Sequence, residues 1–351
     1  MSNQNDEQKV LGKKLSEMSL PKTEDPNELL KFRYLCREGL LGFYGQTGIG
    51  KSSLSMQCMI LWALGREAFG IKPKQALKSL LIQAENDEGD IVEIRDGIVK
   101  GLGLDSEENK QACDNIIVLH EDSKVGEAFI NFVVVAALQK HKPDLLWIDP
   151  ALSYLGGDTI SQKDVGNFLR NLLKPLLKTH QCGGVVVHHT NKSGSSDTAY
   201  AGSGSAEWGN MPRAVLTLTE KANGLFELKA TKRGPRLRWK KTDGTTGTDT
   251  KQLKHSNIEG QIFWLEANVP ECMAEKKLLK EKGDEEKILS HVPIDGSIEK
   301  NELELIINLG EQLGKNKIQK LIKEMIVKCV LKTHEVSRQN ARPEIHISRF
   351  K

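Results

Sequence analysis

The clearest chemistry in the chain lies in eight residues. Gly45-Gln46-Thr47-Gly48-Ile49-Gly50-Lys51-Ser52 fits the pattern Gly-x-x-x-x-Gly-Lys-Ser/Thr in full. Glycines at this spacing let the backbone curl until its N–H groups converge on a polyphosphate, and the positive end of a following helix adds to the attraction. Lys51 is then set to reach the β and γ phosphates and the Ser52 hydroxyl to ligate Mg²⁺, with Ser53 counted among the cradle residues. The chemistry implied is the binding of ATP with Mg²⁺.

Three other sets of residues suit the same task. Asp149 ends the apolar run Leu145–Ile148, and a carboxylate at the C-terminal tip of a parallel strand can hold Mg²⁺ directly or through water. Asp144, just after Pro143, reads instead as a solvated turn residue. Glu85 ends the run SLLIQAE, where a carboxylate can orient or deprotonate an attacking water; because Asn86, Asp87 and Glu88 follow, capping of the next helix is the competing reading. His188 and His189 close the run GGVVVHHT and suit a sensor of the γ-phosphate, against the alternative of one ring packed in the sheet and one solvated.

These positions need strand tips and helix starts, and the sequence supplies them in alternation. LLGFYG (40–45), SLLIQAE (79–85), NIIVLH (115–120), DLLWID (144–149) and GGVVVHHT (183–190) are short apolar runs, which predict buried strands. Helical periodicity falls between them at 52–64, 87–101, 126–141 and 163–180. Apolar strands alternating with helices imply crossovers and a mostly parallel sheet, an α/β fold. RAVLTLTE (213–220) and LFELKATK (225–232) alternate like a hairpin that extends one edge. Residues 244–254 read as a loop and 258–267 as one more strand.

Composition bounds the rest. The 351 residues suffice for about two domains, and 38% hydrophobic residues exclude wholesale disorder. The net charge of +3 does not by itself mark a nucleic-acid binder. No two of the six cysteines lie closer than Cys36 and Cys58, so no paired metal-ligand spacing exists, and scattered thiols fit a reducing cytoplasm. No apolar run is long enough for a membrane helix, and the N-terminal residues lack the apolar core of a signal segment. The expected organisation is an N-terminal arm at 1–34, an ATPase domain at 35–272, a linker at 273–284 and a small domain at 285–351.

The strings GQTGIGKSS, LLIQAEND, LLWIDPALSYLGGD, VVVHHTNKSG and GSGSAEWGNMPRAVLTL together resemble the RepA-like replicative helicases, RecA-fold ATPases of plasmids, phages and mobile elements. The resemblance covers about residues 35–240. It implies a ring, typically a hexamer, that moves on single-stranded DNA using ATP. It matches Lys51 and Ser52 to the phosphate loop, Glu85 to the catalytic glutamate, Asp149 to the metal-binding aspartate and His188/His189 to the sensor. It also matches Arg213 to an arginine finger, a guanidinium that would neutralise transition-state charge in a neighbouring subunit. Lys232 and Arg233, at a late strand end, are the rival for that role. Loops at 154–163 and 191–210, the latter with Lys192, would face the strand in the ring centre.

The tail departs from that family. Residues 285–351 read as three helices and a hairpin, the order of a winged helix-turn-helix. From Lys315 onward there are 10 Lys/Arg and 3 acids, a local +7 hidden in the whole-chain balance. Lys315, Lys317 and Lys320 on the third helix and Arg338 and Arg342 on the wing are the expected DNA contacts, with docking to a protein as the alternative. The expectation is a helicase motor of a plasmid, phage or mobile element, a homo-oligomer partnered by DNA and by a replication initiator or primase. The alternative is an ATP-binding initiator or helicase loader that unwinds nothing.

Overall fold

The computed structural model describes residues 12–20, 24–190, 204–221, 224–241, 244, 247–311, 313–337 and 342–350. The chain forms two compact units, Met1–Ala267 and Asn268–Lys351.

The first unit is an α/β structure around a large, mostly parallel sheet. Its strands are β3 (Leu40–Gly45), β4 (Ser79–Gln83), β5 (Ile116–His120), β6 (Leu145–Asp149), β7 (Gly183–His189), β8 (Ala214–Glu220), β9 (Phe226–Lys232), β10 (Thr250–His255) and β11 (Trp264–Glu266). They lie in the order β11-β10-β9-β8-β3-β7-β6-β4-β5. The six from β8 to β5 are parallel, and β9, β10 and β11 extend the sheet antiparallel. Two small strands, β1 (Glu28–Leu30) and β2 (Leu35–Cys36), pair separately.

The inner strands β3, β4, β6 and β7 are largely apolar because both their faces are covered. Leu41, Phe43, Leu145, Trp147, Val185 and Val187 point to a core with Trp62 and Leu54 of the helix Lys51–Ala63. Their alternates Leu40, Tyr44, Leu146, Ile148 and Val186 point the other way, to Phe129, Phe168 and Trp208. The register places Gly45 beside His189, Ile148 beside Val186 and Gln83 beside Asp149. Four strand tips therefore end on one edge of the sheet, the edge where such sheets bind ligands.

Several elements differ from the sequence expectation. The arm expected over 1–34 does not reach that far: Leu29, Leu30 and Tyr34 are buried in the first core, so packing overrides the polar surroundings of this segment. The helix Ser106–Asp114 lay unread, its signal being a cap at Asp105 rather than a hydrophobic stripe. The loop expected over 244–254 holds β10, whose Thr/Lys/Gln texture fits a half-exposed edge, and the strand expected over 258–267 shrinks to β11.

The second unit runs helix Val269–His291, β12 (Ile298–Glu299), helix Lys300–Gly310, helix Lys315–Val327, β13 (Leu331–Val336) and β14 (Glu344–Arg349). β14 is central, between β12 and β13. Residues 273–284, expected as a linker, lie inside the first of these helices. Ile288, Val292, Leu303, Ile307, Ile318, Leu321, Ile322, Met325 and Ile347 form a core of this unit's own. Among the described residues no helix is long and apolar enough to cross a membrane.

Candidate active site

The phosphate loop follows β3 and turns into the helix Lys51–Ala63. Its shape requires glycine. Gly48 and Gly50 have φ of +80° and +87°, which side-chain-bearing residues rarely adopt. At Gly45 a β-carbon would lie 2.8 Å from the Leu218 carbonyl oxygen. The first helical residues, Lys51 and Ser52, are thereby delivered to the strand tips with the helix N-terminus behind them.

Two groups of side chains meet there. In the first, Lys51 Nζ donates to the Gln46 carbonyl at 2.7 Å and lies 3.1 Å from His189 Nδ1, while the Thr47 hydroxyl lies 3.2 Å from the same nitrogen. An ammonium has no acceptor, so Nδ1 accepts and the ring proton sits on Nε2. That nitrogen faces Glu85, 3.8 Å from Oε1. Burial and the neighbouring Lys51 charge both push the His189 pKa down, which keeps the ring neutral. The result is a Lys51–His189–Glu85 chain across the tips of three strands.

In the second group, the Ser52 hydroxyl donates to Asp149 Oδ2 at 3.2 Å. Asp149 is buried, and burial raises its pKa to about 6; Glu85 adds to the rise, while Ser52 and Lys51 act against it. A carboxylate so disfavoured as an anion gains from a cation, and a hydroxyl beside a carboxylate offers the hard oxygen donors that Mg²⁺ takes together with phosphate oxygens. Lys51 itself is buried; burial lowers its pKa, and Asp149 and Glu85 hold it up. Among the described residues no cluster of three or more His, Cys, Asp or Glu forms a metal cage, as a site sharing its cation with a phosphate needs none.

A family model described as an AAA domain matches residues 6–195, more than half of the chain. The chain belongs to the AAA domain family. The glycine loop, Lys51, Ser52 and Asp149 thus sit in an ATPase domain. No curated protein matches the sequence. The AAA-domain chain is similar to the solved structure titled "Crystal structure of the RadB recombinase", at 14% identity and a TM-score of 0.41, covering 63% of this chain and 88% of that one. It is also similar to a second solved structure, described as an ATPase domain, at 11% identity and a TM-score of 0.44, covering 66% of this chain and 86% of that one.

Of the residues expected from sequence, Gly45, Gln46, Thr47, Gly48, Ile49, Gly50, Lys51, Ser52, Ser53, Glu85, Asp149 and His189 come together at this edge. His188 does not. It points to the opposite face of β7, fully buried, stacked on Trp208 at 4.2 Å and edge-on to Tyr44 at 6.0 Å. Alternation along a strand sends neighbours to opposite faces, so only one of the two histidines can serve the site.

Arg213, Lys232 and Arg233 lie at the other end of the strands. The Arg213 N–H donates to Leu40 O, at the start of β3, about 16 Å along the strand from Gly45. Arg213 is exposed. Lys232 Nζ is held by three carbonyls, those of Gly209, Asn210 and Pro212, at 2.7, 3.2 and 2.9 Å. Arg233 donates to the Arg33 carbonyl at 2.9 Å. Neither Lys232 nor Arg233 touches the nucleotide loop of its own chain; their expected role was as rivals to Arg213 for a finger in a neighbouring subunit. Lys232 is a clasp for the segment that leads into β8.

In the C-terminal unit, Lys317, expected as a DNA contact, is paired with Asp284. Lys320 reaches Glu324 at 3.7 Å but stays largely exposed, and Lys315 and Arg342 are exposed. Lys192 and Arg338 lie outside the described residues. Sequence reading passed over Gln57, His255 and Trp264, which also approach the loop; their only signal was a polar residue on an apolar helix and two rings on a late hairpin.

Replacing Lys232 by Met strands three carbonyls, each an acceptor for a charged donor. The expected loss is about 1–2 kcal/mol, reduced by the partial exposure of the ammonium. Urea unfolding checks this, and an unchanged midpoint would exclude the clasp.

Proposed function

We propose that this chain is a Mg²⁺-dependent ATP hydrolase of the RecA-like type that acts as a DNA motor, a helicase in the RepA-like manner. The observation that carries the reading is the Lys51–His189–Glu85 chain beside the Ser52–Asp149 pair, all on one sheet edge. The strand order around the phosphate loop supports the RecA-like assignment: β3 lies between β7 and β8, with the Asp149 strand one place further and the Glu85 strand next to it.

In this reading Ser52 and Asp149 would hold Mg²⁺, which when bound supplies positive charge to the phosphates. Lys51 exchanges the Gln46 carbonyl for β and γ phosphate oxygens. Glu85 takes a proton from the attacking water as its oxygen bonds to the γ-phosphorus; the bond to the bridging oxygen breaks and ADP leaves with the electron pair. His189, donating toward Glu85 and accepting from Lys51, links the γ-phosphate position to the start of the 191–210 segment, where Lys192 would meet DNA.

Arg213 sits too far from its own loop to serve it, which supports a finger reaching into a neighbour's site in a ring, a hexamer. Arg233 remains a second candidate on the same edge. The helix–strand–helix–helix–hairpin order of the C-terminal unit supports a winged helix, with Lys315, Lys317, Lys320, Arg338 and Arg342 as its expected DNA contacts. Duplex DNA, an initiator or a primase are the partners it would suit in a plasmid, phage or mobile element.

A forked duplex tests the function: ATP-dependent strand displacement by a particle of ring mass is expected. Hydrolysis and ring mass without displacement would replace the helicase by an initiator or loader. Glu85→Gln should retain ATP binding while turnover falls about 10²-fold or more, and removal of Mg²⁺ by chelation should abolish turnover. Wild-type turnover in Glu85→Gln would remove Glu85 from the mechanism. Arg213→Ala should bind nucleotide normally yet lose about 10³-fold in turnover, restored in part when mixed with Lys51→Ala subunits that supply the missing guanidinium. No recovery on mixing, with both variants assembling, would count against a finger in trans.

A further inference from the structure

A cluster of rings rests on the phosphate loop and takes no part in the chemistry above. His255 ends β10 and Trp264 begins β11, and the two are partners in the antiparallel register. Their ring centroids lie 3.8 Å apart with planes tilted by 42°, and Phe226 packs edge-on against both at 5.1 and 4.8 Å. The cluster is fastened to the loop's helix. The Gln57 side-chain amide donates to the Trp264 carbonyl at 2.9 Å and accepts the Trp264 backbone N–H at 2.7 Å. The indole N–H donates to the Ser53 hydroxyl at 3.0 Å.

The tip of the cluster lies against Gly50. A β-carbon on Gly50 would come 2.7 Å from Trp264 Cζ2 and 3.2 Å from His255 Cε1. Trp264 is buried, whereas His255 is partly exposed and has no hydrogen bond to either ring nitrogen among the described residues. Burial lowers its pKa, so at neutral pH the ring offers one donor and one acceptor.

The direction of a bound triphosphate follows from the groups already placed. Glu85 and His189 mark its γ end, and Ser52 and Asp149 mark the cation. Successive helix residues diverge by about 100°, and the side chain of Ser53 is turned to Trp264. His255 lies across β3 from the strands that carry Glu85 and His189, beside Gly50, and so on the flank toward which the α end would leave.

We propose that His255, carried on the face of Trp264, forms the nucleoside subsite of this ATPase, meeting the base and ribose of ATP beside Gly50. The inference rests on the reading of the glycine loop as an ATP site. A planar ring backed by a rigid indole meets a purine with little loss of side-chain freedom, and such contacts tolerate or select bases according to the edge they present.

Binding of ATP and of inorganic tripolyphosphate to the full chain separates the two readings. His255→Ala should weaken ATP about tenfold, the size of a lost base contact, and leave tripolyphosphate unchanged. His255→Leu fills the same space over Trp264 and should show the same selective loss, which guards against a folding defect in the alanine variant. Unchanged ATP affinity in both variants, or equal loss for ATP and tripolyphosphate, would overturn the subsite. Wild-type protein that binds neither ligand would overturn the phosphate-loop reading itself, and the subsite with it.

Discussion

Lys51 is a cation in a place where burial opposes its charge, and the carboxylates of Asp149 and Glu85 are what keep it there. The site depends on this balance. Remove either carboxylate and the ammonium loses a counter-charge; remove the ammonium and Asp149 and Glu85 repel each other across the strand tips. The parallel register supplies the geometry, because β3, β7, β6 and β4 all end on one edge and bring a lysine, a histidine and two acids from distant parts of the chain within reach. A triphosphate with its cation adds both signs of charge at once, so the balance survives binding.

The parallel sheet and the helices between its strands were legible as apolar runs of four to seven residues ending in Gly, Glu, Asp or His. Lys51, Ser52, Glu85 and Asp149 were legible because chemistry at strand tips calls for those types. The His188/His189 pair was legible only as a pair. Strand alternation decides which ring faces the site, and the apolar partner that claims His188, Trp208, comes from a segment twenty residues later. Of the β10–β11 edge only β11 was legible, as part of the apolar run 258–267. The polar residues of β10 read as a loop, and what holds the edge is a side-chain amide on the phosphate-loop helix, a contact between residues 207 positions apart.

The two edges of the sheet differ in charge. The loop edge holds Glu85 and Asp149, and the opposite edge gathers Arg33, Arg213, Arg233 and Arg236, close enough that Arg213 and Arg236 help push the Arg233 pKa down. Like charges held together cost stability in an isolated chain, and a polyanion presented to that edge relieves the cost. The acid-bearing edge and the guanidinium edge are thus complementary in charge.

The Lys232 clasp also ties the segment that carries Arg213 to the hairpin beside it. The ammonium closes β9, and the carbonyls it satisfies belong to 209–212, just before β8 begins. Val215 pairs with Lys232 itself, at the end of the hairpin remote from its turn. Those carbonyls therefore reach their cation only where β8 and β9 are paired along their whole length. The position of Arg213 is thus tied to full pairing of the hairpin, and opening the hairpin at this end would release the segment that carries it.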